Sequence, residues 1–392
     1  MRRGTDGSRA VVPLGLLAAA AFLSSGGARV IDPLLHAIAT DFATTVPAVS
    51  IVVAAFTLPY GLCQILLGPL GDSIGKLRVI LGALVAYAVA TGACALATDL
   101  PMLTLLRVAA GAASAAVIPL GMAYIGDGVP YAQRQVTLSR FLNGSMLALV
   151  MAGPVGGVFG EYVGWRGVFL LLAAAALVLA AALARRLPSL PDPRGHGERM
   201  SLATFFSLAQ RPAARALLLC ATLDGALLLG CFPFLAPYLH ERFDLSYASV
   251  GLILSCFGLG ALAYTRVVRW LVPQLGEANL LLAGGLVMSA ALAAGMAAPH
   301  WAWFIPVQFA LGFGFYLLHG VMQVRATEML PQARATAVSA FAFMLFMGQS
   351  LGALAIGATI ARLGYHDAFL IQAACILAFG LALRVLMRRG AG

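Results

Sequence analysis

Lysine is almost missing from this sequence: Lys76 stands alone among 25 basic residues, and charged side chains of all kinds make up 10% of 392 residues. So little charge, set against 61% apolar side chains and a mean hydropathy of +0.93, excludes a water-soluble globular domain. Cysteines are few and unpatterned. Cys63, Cys94, Cys220, Cys231, Cys256 and Cys375 all fall inside apolar segments without metal-ligand spacing, and read as small buried hydrophobes. Six scattered histidines supply neither a metal nor a nucleophile constellation, which argues against a membrane enzyme. The G-x-x-x-x-G-K-[ST] pattern of nucleotide-phosphate binding is missing, and no cofactor is implied. No soluble segment is long enough to serve as the output domain of a sensor. The preference for arginine over lysine hints at a GC-rich bacterial genome.

What the sequence has is apolar runs. Twelve recur, at about 13–37, 46–67, 79–97, 102–124, 137–160, 166–187, 214–238, 247–270, 278–297, 302–324, 335–361 and 366–387. Each is long enough to cross roughly 30 Å of hydrocarbon as a helix, and inside lipid every backbone amide needs an internal partner. The predicted fold class is therefore an all-α membrane protein with twelve transmembrane helices. Basic residues collect at the two termini and on alternate connections: Arg2, Arg3, Arg9, Lys76, Arg78, Arg134, Arg185, Arg186, Arg194, Arg199 and Arg211 among them. The opposite connections carry only Arg166, Arg242 and Arg362. That asymmetry predicts both termini in the cytoplasm and accounts for the net charge of +10 without a nucleic-acid partner. The basic start followed by an apolar run reads as an uncleaved first helix rather than a signal peptide, because eleven similar runs follow.

The longest polar interruption runs from Arg185 to Pro212 and is rich in proline, glycine and charge. It divides the chain into two pseudo-symmetric six-helix bundles, residues 1–187 and 213–392, joined by a cytoplasmic linker over 188–212. The halves match at a shift of 200–201 residues, pairing Gly111 with Gly312, Arg107 with Gln308, Phe42 with Phe243, Pro130 with Pro331, Gly75 with Gly276, Gly164 with Gly364 and Phe169 with Phe369. Repeated halves with few intramembrane charges imply a transporter that rocks about a site near the midplane.

One polar insertion interrupts the first half: "GPLGDSIGKLR", Gly68 to Arg78. Gly68, Leu70, Asp72, Gly75 and Lys76 fit the loop signature G-x-L-a-D-r-x-G-r-[kr], so the chain resembles the major facilitator superfamily. Ser73 stands where that signature has a basic residue, Leu77 also departs, and the second-half copy around Gly276 lacks the aspartate. The resemblance, closest to the twelve-helix drug:proton antiporters, implies a monomeric secondary transporter of the bacterial inner membrane. Small molecules, protons and the lipid bilayer would be its partners. Gly68, Asp72, Gly75, Lys76 and Arg78 would form a cytoplasmic gate, with Lys76 and Arg78 meeting acidic or carbonyl groups across the halves. A charged turn that only satisfies topology is the other reading.

"LLRVAAG" resembles a second family motif, an arginine with glycine four residues on. Arg107 lies roughly 9 Å into the membrane at 1.5 Å per residue, so it either faces a partner or snorkels to the outer surface. "GPVGG", Gly153, Pro154, Gly156 and Gly157, resembles the exporter motif G-P-x-x-G-G with one residue missing. Helix packing at a proline kink explains it equally. Arg29 and Asp32 share a helical face; they neutralise each other, or Asp32 pairs with Arg107 across the cavity. Asp224 sits near the midplane with no basic residue within a turn, so it either carries a proton or serves as a hydrogen-bonded packing acid. His319 is a second proton candidate, and Tyr60, Gln64, Asn143, Gln308, Gln323 and Gln349 offer polar points for a cavity. Proton-coupled drug or metabolite efflux is the expected activity, with transport of a sugar or small organic acid the alternative.

Overall fold

A computed structural model of the chain describes residues 13–190, 208, 210–330 and 334–389, without the side chains of 65–69, 72, 131, 132, 135, 334, 335 and 389. Most of the expected linker, Pro331, and the side chain of Asp72 and the surroundings of Gly68 thus lie outside the described residues. Everything regular that is described is helical.

Nine helical stretches are apolar and long enough to cross a membrane among the described residues: α1 Leu14–Asp41, α2 Val46–Gln64, α3 Lys76–Cys94, α4 Leu100–Gly128, α5 Val136–Ser189, α6 Pro212–Phe243, α7 Tyr247–Met296, α8 Trp301–Glu328 and α9 Thr336–Arg388. Where the sequence predicts connections near 164, 276 and 364, helix runs on both sides of one glycine. Gly164, Gly276 and Gly364 alone have non-helical angles inside α5, α7 and α9, at φ of 71°, 71° and 79°. A residue without a Cβ adopts that region freely, so the chain changes direction with no intervening coil.

These angles repeat as the sequence does. The positive-φ residues among those described are Ala43 and Asp244 (49° and 51°), Gly75 and Gly276 (106° and 71°), and Gly164 and Gly364 (71° and 79°), three pairs at the 200–201 shift. The helical breaks at Asp32–Leu34 and Phe232–Phe234, each with proline at its centre, are 200 residues apart. Close helix approaches repeat too. A Cβ on Gly111 would run into the carbonyl of Phe56, and one on Gly312 into that of Phe257, 201 residues on. Matched sequence therefore means matched backbone geometry.

The "GPVGG" segment of α5 lies where that helix crosses two others. Gly156 backs onto the carbonyl of Val30 in α1, while Gly153 and Gly157 back onto Gly251 and Tyr247 in α7. Helix continues through Pro154 without a non-helical residue beside it. Of the cysteines, Cys94 and Cys231 are buried, Cys63, Cys220 and Cys256 half-buried and Cys375 exposed.

Candidate functional site

Asp224 closes an α-helical stretch of α6, and the next five residues, Gly225–Leu229, form a π-helical turn. Such turns widen a helix and are common at functional sites. Gly225 backs onto the carbonyl of Leu345 in α9 and Gly230 onto Gly352, so α6 and α9 press together on both sides of the turn. Asp224 is buried, and its Oδ2 lies 2.8 Å from Nδ1 of buried His319 on α8. The imidazole stacks on Phe315 (centroids 4.8 Å, planes 13° apart), with Phe341 at 5.5 Å and the edge of Tyr316 at 6.1 Å. The sequence left Asp224 without a basic partner because the partner is 95 residues away on another helix. This couple is neutral in two forms, carboxylic acid with imidazole or carboxylate with imidazolium. One added proton gives it a net positive charge.

Arg29 and Asp32 form the second polar cluster. Arg29 Nη1 lies 3.8 Å from Asp32 Oδ2, and the guanidinium covers the faces of Phe232 at 4.5 Å and Phe257 at 6.0 Å. Among the described residues Asp32 has its ion-pair contact with Arg29 and none with Arg107. Arg107 is instead 0% exposed and donates to the carbonyls of Gly27 (3.0 Å) and Val52 (3.5 Å), with its guanidinium 4.2 Å from the Phe56 ring. Helix carbonyls and a ring face meet the charge in place of water. Its repeat partner Gln308 is equally buried.

At the end expected to face the cytoplasm, Gly75 turns the chain into α3 and Lys76 follows it. Lys76 Nζ meets Asp127 Oδ2 of α4 at 2.8 Å, a contact within the first repeat, and Arg78 donates to Ile74 O one turn back. The second repeat builds the same joint with reversed charges. Glu277 follows Gly276, and its Oε2 meets Arg325 Nη2 of α8 at 2.6 Å. The two joints differ in exposure, since the Lys76 side chain is 5% exposed and that of Glu277 40%. Asp127→Asn is accordingly expected to cost about 1–2 kcal/mol, and Glu277→Gln less than about 1 kcal/mol. Thermal melts of the two variants check this, and an equal or reversed order contradicts it.

The opposite end bridges the repeats. His36 Nδ1 of α1 lies 3.3 Å from Glu241 Oε1 of α6, which also accepts from Tyr365 Oη at 3.2 Å. The His36 and His240 rings are 4.6 Å apart, and His240 stacks on Tyr247 at 4.7 Å. Glu161 of α5 accepts from the Tyr247 backbone N–H at the start of α7, 2.8 Å away. Read singly, these histidines carry no signal in the sequence; the pairing exists only once the repeats face each other.

Apolar helices too numerous for any soluble domain, a backbone repeated at a fixed shift and charged pairs buried between the helices define a polytopic membrane transport protein. The chain belongs to the Major Facilitator Superfamily, whose family model matches residues 17–281 and 216–391. It is similar to the MFS-type transporter YceJ of Bacillus subtilis, 26% identical over 82% of this chain and 82% of that one. A chloramphenicol resistance protein of Streptomyces lividans is 25% identical over 94% of this chain and 95% of its own length. Among solved structures, an inward-facing, unoccupied bacterial homologue of the human lysosomal transporter Spinster shares the fold, with a TM-score of 0.79, 19% identity and 98% coverage of both chains.

Proposed function

We propose that this chain is a proton-driven exporter of small molecules in a bacterial inner membrane, working by alternating access. The observation that carries the reading is the Asp224–His319 couple, a buried carboxyl and imidazole 2.8 Å apart, two groups of the kind that take up and release protons. The resistance protein of S. lividans, similar over nearly the whole chain, supports export, as does the likeness of "GPVGG" to an exporter motif.

A helix of 54 residues such as α5 would reach about 81 Å, far beyond the thickness of hydrocarbon. Counting α5, α7 and α9 as two crossings each gives twelve, six to a repeat, with residues 1–187 and 213–392 as the two bundles. In this reading the bridges His36–Glu241 and Glu161–Tyr247 seal the outer end. They break when the bundles rock, while Gly68, Asp72, Gly75, Lys76 and Arg78 close the inner end. Arg29, Asp32 and Arg107 belong to the pathway between.

Topology is tested by single cysteines. Positions 194 and 389 are expected to react with impermeant thiol reagents only from the cytoplasmic side, and position 367 only from outside. Labelling of 194 and 389 from opposite faces contradicts twelve crossings. Export itself is tested in cells: those producing the chain are expected to accumulate less radiolabelled chloramphenicol until an uncoupler is added. Accumulation that ignores both the chain and the uncoupler overturns export of that compound by protons.

A further inference from the structure

Between α1, α5, α6 and α7 lies a cavity whose polar atoms the chain leaves unused. Arg29 Nη1 and both carboxylate oxygens of Asp32 are buried and have no hydrogen-bond partner among the described residues. Their 3.8 Å separation is an ion-pair distance, longer than an N–H···O bond. Beside them is a void of about 10 Å³, room for one water, walled by Leu149, Leu254, Phe232 and Phe257. Buried donors and acceptors in native proteins are nearly always satisfied, so three unspent atoms around one void point to a ligand.

The chemistry of that ligand follows from the pair. Arg29 and Asp32 sum to no net charge. A lone cation drawn to the carboxylate meets the guanidinium, and a lone anion drawn to the guanidinium meets the carboxylate. A group that carries an acceptor and a donor side by side meets both and brings no charge into an apolar wall. The rings at 4.5 and 6.0 Å from the guanidinium favour a flat group lying in its plane. We infer that this cavity is the subsite for an uncharged, planar lactam or imide edge on the transported molecule. The ring carbonyl accepts from Arg29 Nη1, and the adjacent ring N–H donates to Asp32.

The void is small here because helices from the two repeats close over it. Gly153 of α5 and Gly251 of α7 touch backbone to backbone, so that a Cβ on Gly153 would lie 2.6 Å from the Gly251 carbonyl. Arg29 and Asp32 come from the first repeat and Phe232 and Phe257 from the second, so any rocking of one against the other opens or closes the subsite. The inference rests on the transport reading and narrows its substrate class.

Equilibrium binding of tritiated inosine to the full chain in nanodiscs is the test, with 1-methylinosine and tryptophan as competitors. Inosine carries a lactam edge on a flat ring, and 1-methylinosine keeps ring, ribose and carbonyl but loses the N–H. Tryptophan offers acceptor and donor as a charged carboxylate and ammonium. Inosine is expected to bind, with 1-methylinosine about 10- to 100-fold weaker, the loss of one charge-assisted hydrogen bond. Tryptophan is expected to compete no better than 1-methylinosine. In Asp32→Ala the gap between the two nucleosides is expected to close to within about threefold, because their only difference has lost its partner. Equal competition by the nucleosides, preference for tryptophan, or no inosine binding by a monodisperse wild-type chain overturns the inference. The wild-type comparison stands even if the variant fails to fold. Binding needs no gradient, so a chain that selects inosine yet moves nothing under a gradient contradicts the transport reading and leaves the subsite intact.

Discussion

Asp224→Asn is expected to abolish proton-driven flux while leaving substrate exchange across the membrane measurable. The amide keeps the size of the carboxyl and can still bond His319 Nδ1, 2.8 Å away in the native chain, so folding should survive. What it loses is the proposed proton site. A transporter whose driving step needs that site cannot couple a gradient to movement, whereas exchange of substrate for substrate needs no net proton transfer. The expected fall in driven flux is on the order of a hundredfold, equivalent to about 2.7 kcal/mol of lost coupling. His319→Gln should fall in the same direction, since it removes the other half of the couple. Driven flux that stays pH-dependent and near wild type in Asp224→Asn would make Asp224 a packing residue and shift the role to Asp32.

Gly156→Ala is expected to lower folded yield and melting temperature sharply. A methyl group there meets the carbonyl of Val30, so α1 and α5 must separate along a crossing that also contains Gly144 against Ala18. Overpacking of this kind costs about 1–3 kcal/mol even in cores that can relax, and two helix backbones in contact relax poorly. Gly82→Ala is the control: its added Cβ meets nothing within 4 Å, and alanine is the better helix former by up to about 1 kcal/mol. Size-exclusion yield and thermal melts of the two variants decide the matter. Equal melting temperatures would mean that the α1–α5 crossing is not tight.

Features of this fold differ in how far the sequence reveals them. The glycine pairs at 75/276 and 164/364 are visible as a repeat in the residues themselves, and their positive φ angles explain why the spacing is kept: each is a turn that a Cβ would strain. Lys76 is visible as the one lysine of an apolar chain, although its ion pair with Asp127 at the end of α4 is not. The couples that matter chemically are harder to read. Asp224 and His319 are 95 residues apart, and His36 and Glu241 are 205 apart. Helical periodicity says which face of a helix is apolar, but in lipid nearly every face is apolar, so the pattern carries little about which helix lies opposite. Arg107 shows the limit most clearly. Its depth is readable from its spacing, but its choice of the Gly27 and Val52 carbonyls over Asp32 depends on how α1, α2 and α4 pack.

In the proposed function a proton gradient drives a small molecule through this chain by way of the Asp224–His319 couple. Purified protein in liposomes, with chloramphenicol and inosine as labelled cargo, tests it in one measurement: net flux with an imposed pH difference against flux without one. At least one cargo is expected to move uphill only while the gradient stands, with protons moving the opposite way and Asp224→Asn removing the driven part alone. Wild-type flux that is the same with and without the gradient, or uphill movement that persists unchanged in Asp224→Asn, would contradict it.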